Sequence, residues 1–101
     1  MIEFIKKAFF ENKYILIHFV GGWVYSMLHI PFFEYFFGDR RLDLLFVIVL
    51  TIAILWEVYE FFSDGGYKGI EKIYGKFRYF IYDGIGDIIA PLLACLFVSL
   101  F

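Results

Sequence analysis

The chain has 101 residues, 62% of them hydrophobic and 25% aromatic, with a formal charge of −2. A soluble domain is roughly 45–50% apolar, and so short a chain hides only about two-thirds of its surface on folding, so this composition excludes a soluble monomer and points to a polytopic membrane protein. Lys and Arg total 9 against 11 Asp and Glu, which leaves no basic surplus for nucleic acid, and the single Cys95, set among Ala94, Leu96 and Phe97, supports neither a disulfide framework nor a cysteine metal cluster.

Residues 1–13 mix Ile2, Phe4, Ile5, Phe9 and Phe10 with Lys6, Lys7 and Lys13, the pattern of a helical segment lying on a membrane surface. A first apolar stretch of spanning length runs over about 14–37, where Pro31 and Glu34 predict a broken or interfacial last turn. No small-residue cleavage site leads into a polar domain after it, so it reads as a retained span and not as a signal peptide. The polar knot Gly38-Asp39-Arg40-Arg41 separates it from a second span over about 42–62, in which Thr51 alone interrupts the apolar run from Leu44 to Leu55. The connector Ser63–Arg78 carries Ile70, Ile73, Tyr74 and Phe77 at helical spacing and predicts a second surface helix. A third span follows over about 79–101, with Pro91 tolerable inside it if neighbouring helices pack there. The expected fold is all-α: one domain over residues 1–101, with three transmembrane helices and two surface helical segments, at 1–13 and 63–78.

Orientation follows from basic residues. Lys6, Lys7, Lys13, Lys68, Lys72, Lys76 and Arg78 fall on one side of the membrane and only Arg40 and Arg41 on the other. The positive-inside rule then puts the N-terminus and the connector in the cytoplasm and the C-terminus outside, in an inner or cell membrane.

Charges within a span are costly, and so are functional candidates by default. Glu57, Glu60 and Asp64 share one face of the second helix, and Asp83 and Asp87 share one face of the third. With the spans placed as above, these five carboxylates and His18 of the first span reach the same depth at the cytoplasmic boundary. Such a group cannot stay ionised without balancing charge. A divalent cation on Glu57, Glu60, Asp64, Asp83 and Asp87 is one remedy, with His18 as ligand or general base; retained protons are another, and pairing with Lys13, Lys76 or Arg78 a third. The alternative is that these residues only mark helix ends in the headgroup zone.

A second stripe, His18, Gly22, Tyr25 and His29, follows the first span. Gly21 and Gly22 are expected to admit a neighbouring helix, and His29 to make an interfacial polar contact near the outer face. Gly84 and Gly86, within Tyr82-Asp83-Gly84-Ile85-Gly86-Asp87, lack the features of a phosphate loop and are expected to let the third span pack beside the acidic face of the second.

The segment Trp56-Glu57-Val58-Tyr59-Glu60-Phe61-Phe62-Ser63-Asp64, followed by Asp83 to Asp87, resembles the YjdF-type and VanZ-like small bacterial membrane proteins, over residues 56–87. That resemblance implies a membrane location more than a reaction. The layout is also similar to bacterial diacylglycerol kinase: a surface helix, three spans, and acidic residues comparable to Glu60, Asp64 and Asp83. It departs from that family at Tyr82, where a Lys is expected, and at Ile85-Gly86-Asp87-Ile88-Ile89 in place of Ser-Ala-Ala. What the likeness implies is carboxylates at the inner interface holding a metal near a lipid phosphate.

Three functions follow as expectations. One is metal-assisted chemistry on a lipid or lipid-linked phosphate, with His18, Glu60 and Asp83 catalytic, a Mg²⁺, Mn²⁺ or Zn²⁺ cofactor, and membrane lipids as partners. Another is a cation or proton pathway in an oligomer. The last is a non-catalytic subunit or a pore-forming, holin-like protein. A bundle of only three spans buries little, so a homo-oligomer or a place in a larger membrane complex is expected in each case.

Overall fold

The computed structural model describes residues 1–101 and is helical nearly throughout. A short α1 (Ile2–Ile5) runs on as a π-helical turn (Lys6–Phe10), followed by α2 (Ile15–Phe37), α3 (Leu42–Ser63), α4 (Gly66–Tyr74) and α5 (Phe77–Ser99). The long helices α2, α3 and α5 are each long and apolar enough to cross a membrane, and at 1.5 Å per residue about 23 residues reach across a hydrocarbon core of about 30 Å. The chain therefore has the build of a small membrane protein. Pro31 does not end α2, which continues to Phe37 and stops at Gly38 with φ 82°, a left-handed conformation that glycine adopts without a Cβ clash.

α5 is the central helix: 44% of its apolar stretch is buried, against 17% in α2 and in α3. Between lipid-soluble surfaces the hydrophobic effect gives no net drive to associate, so close packing of small residues matters most. α5 supplies it with Gly84, Gly86, Ala90, Ala94 and Cys95, all buried. Gly22 of α2 lies against the Pro91 backbone so closely that a Cβ there would sit 2.5 Å from its carbonyl oxygen, whereas a Cβ on Gly21 would meet nothing within 4 Å. Of the two glycines, only Gly22 admits a neighbouring helix.

The buried apolar cluster Ile30, Leu45, Val49, Cys95 and Val98 occupies the end of the bundle that holds the α2–α3 loop. His29 is buried there at 3% exposure and makes its polar contacts inside the bundle. Its Nε2–H donates to the Arg41 carbonyl at 3.2 Å, its Nδ1 accepts from the Tyr25 hydroxyl at 3.1 Å, and its ring stacks on Phe33 at 4.0 Å. The imidazole thus pins the loop that turns α2 into α3. The two segments expected at the surface also pack into the bundle. Ala8 and Ile70 are fully buried, and the Ala8 carbonyl lies directly against Gly86. Gly86 therefore makes room for the N-terminal segment, while only Gly84 makes room for α3.

Candidate metal centre

At the opposite end of the bundle each long helix contributes one ionisable side chain to a common point. His18 lies in the first turn of α2, Glu60 in the last turn of α3 and Asp87 in the first half of α5. One ligand atom from each of the three falls within 4.8 Å of the others. His18 Nε2 lies 3.5 Å from Asp87 Oδ2, and Asp87 is only 2% exposed.

The N-terminal segment reaches into this group. Asn12, 5% exposed, directs its amide nitrogen to Asp87 Oδ1 at 2.7 Å, to the Ala8 carbonyl at 3.1 Å and to the Asp83 carbonyl at 3.2 Å. Its own Oδ1 accepts the Tyr14 N–H at 3.2 Å, an Asx turn that starts α2. Glu60 is oriented from its own helix, because Trp56 Nε1–H donates to Glu60 Oε1 at 2.7 Å.

Glu57, one turn before Glu60, packs over Gly84: a Cβ on that glycine would come within 2.9 Å of Glu57 Oε2. Both Glu57 carboxyl oxygens are buried and have no hydrogen-bond partner. A buried carboxyl without a donor is costly, so Glu57 requires a proton or a cation. Asp64 and Asp83, with Lys13, Tyr14, Glu60 and Tyr74, line a polar mouth of 410 Å³. Burial, with Asp83, Glu60, Asp64 and Asp87 nearby, raises the Tyr74 phenol above its usual range.

Of the sequence candidates, His18, Glu60 and Asp87 meet at ligand distance, while Glu57, Asp64 and Asp83 surround that point. Lys13, Lys76 and Arg78 form no ion pair with these carboxylates. Arg78 bonds Glu3 at 3.2 Å, Lys7 bonds Glu11 at 3.0 Å, Arg41 pairs with Asp39 and Asp43, and the only basic side chain in contact with a carboxylate of the group is His18. Two contributors escaped the sequence reading. Asn12 gave only the signal of a turn-forming residue between apolar segments, and Trp56 stood four residues before Glu60, the spacing at which helix side chains meet.

Beside the group, residues of α2 and α3, with Pro91 of α5, line a groove of 320 Å³ that includes His18 and Trp56. The fold and site together define a three-helix membrane-type bundle with an acidic, histidine-bearing centre near one end. No protein-family model, curated protein or solved structure matches the chain.

Proposed function

We propose that the chain is a metal-assisted membrane enzyme that holds a divalent cation on His18, Glu60 and Asp87 and acts on the phosphate of a lipid or lipid-linked substrate. The convergence of one ligand from each long helix within 4.8 Å carries this reading. Two carboxylates with one imidazole suit Mg²⁺, Mn²⁺ or Zn²⁺. Positive charge there offsets the buried carboxylates, including the unpartnered Glu57, and neutralises charge developing on a phosphoryl oxygen. Asp64 and Asp83 face the polar mouth, within reach of the water or substrate around such an ion. The basic residues flanking this end support a cytoplasmic N-terminus and connector and an external C-terminus. Exposed apolar side chains along α3, among them Val47, Leu50 and Ile54, leave a face for lipid, for further copies or for other subunits of a complex.

The test is Mn²⁺ binding to the protein in lipid nanodiscs, followed by thermal unfolding, since a ligand of the native state raises stability by mass action. Wild type is expected to unfold at a higher temperature with Mn²⁺, and Glu60→Gln to bind it about ten-fold or more weakly, a loss of roughly 1.4 kcal/mol. If Glu60→Gln and wild type respond alike, no cation sits on this group. Mn²⁺-dependent release of phosphate from an alkyl phosphate separates an enzyme from a cation pathway, which binds the ion without turnover.

A further inference from the structure

The groove between α2 and α3 continues from the ligand group, and its chemistry changes along its length. At one end stand His18, which belongs to the group, and Trp56, which orients Glu60. Ile17 stands beside His18; beyond them the walls are Gly21, Ile52 and Ala53, and the space reaches Tyr25 and Val49, seven residues or about 10 Å farther along the helices. The polar end is thus close to the helix termini and the apolar end deeper in the bundle, the same polarity as a lipid lying in a leaflet. The 320 Å³ volume is at the small end of ligand sites, which run from about 300 to 1,000 Å³, room for one hydrocarbon chain and not two. Gly21 keeps the space open, since no atom lies within 4 Å of where its Cβ would stand. It is therefore not needed for helix contact, in contrast to Gly22.

We infer that this groove seats the single hydrocarbon chain of a lipid phosphate whose headgroup lies at His18, Glu60 and Asp87. The inference rests on the cation reading, because a phosphate approaches carboxylates only when a cation lies between them. Chain length and headgroup are then read by different parts of the molecule: the groove selects one apolar chain, and the ion selects the phosphate.

The experiment uses full-length protein in nanodiscs with Trp23→Phe as background, so that Trp56 in the groove wall is the only tryptophan. The probe is an alkyl phosphate brominated along its chain, whose bromine quenches an adjacent indole; an alkyl alcohol with the same brominated chain is the control. With Mn²⁺ present, quenching by the phosphate is expected to saturate at about one-tenth or less of the concentration the alcohol needs, a difference of roughly 1.4 kcal/mol. Gly21→Leu, which fills the groove, is expected to abolish that advantage, and Ile52→Phe, at an exposed wall position, to weaken it in the same direction. Aromatic circular dichroism checks that each variant is folded. Equal quenching by phosphate and alcohol, or a Gly21→Leu and Ile52→Phe response like that of the background protein, overturns the inference and leaves bulk lipid as the occupant. A phosphate preference that needs no Mn²⁺ but is lost in Gly21→Leu leaves a chain in the groove and refutes the cation reading, and with it the headgroup's place at His18, Glu60 and Asp87.

Discussion

Removing the Asn12 side chain is the most informative single perturbation, because one amide joins the N-terminal segment to α5 and to the ligand group. In Asn12→Ala, the buried Asp87 carboxylate loses its 2.7 Å donor, and hydrogen bonds to charged groups are worth about 1.5–3 kcal/mol. The Ala8 and Asp83 carbonyls, at 3.1 and 3.2 Å, share the remaining N–H, and a neutral bond adds about 0.5–1.5 kcal/mol. The expected loss is about 2–4 kcal/mol, a large part of a total that runs to about 5–15 kcal/mol for a small domain. Reversible unfolding in mixed micelles, followed by tryptophan fluorescence, measures it. Asn12→Asp sharpens the result, since it replaces a donor with another carboxylate against Asp87. It is expected to destabilise more than Asn12→Ala without divalent ions and to recover in part with Mn²⁺. An Asn12→Ala loss below about 0.5 kcal/mol, the range of ordinary surface changes, would refute the argument that this amide docks the N-terminal segment.

Two further outcomes test the packing. Gly22→Ala drives a Cβ to 2.5 Å from the Pro91 carbonyl oxygen and is expected to cost about 1–3 kcal/mol, whereas Gly21→Ala meets no atom and is expected to be neutral or to add up to about 1 kcal/mol of helix preference; equal effects in an unfolding titration would show that α2 and α5 do not touch there. Burial raises the Tyr74 phenol, so the folded state favours its neutral form. That contribution is complete below the ordinary tyrosine value of about 10 and declines as pH rises beyond it, because the unfolded chain loses the proton first. Limited proteolysis of the 63–78 connector is accordingly expected to accelerate above about pH 10, and Tyr74→Phe to remove most of that rise. Phenolate absorbance at Tyr74 developing at the ordinary pH would contradict it.

The membrane-type architecture was legible in the residues themselves. Three apolar runs of spanning length, a polar knot at Gly38–Arg41 and a Lys-bearing connector lead to α2, α3 and α5 within about two residues at each end, because run length and the cost of unpaired backbone in lipid are properties of local sequence. The depth coincidence of His18, Glu60 and Asp87 was legible for the same reason, since helical rise converts chain position into depth. Which carboxylates meet was not. Depth does not determine the rotation of one helix about another, and that is set by contacts between distant residues: Gly22 on Pro91, Gly84 under Glu57, Ala8 on Gly86. Those contacts turn Asp87 inward to His18 while Asp83 and Asp64 line the mouth. They also bring Asn12 onto Asp87, from 75 residues away in the chain. Even the difference between the two adjacent glycines of α2 is tertiary: Gly22 meets a helix and Gly21 faces an open groove, because neighbouring residues on a helix point about 100° apart.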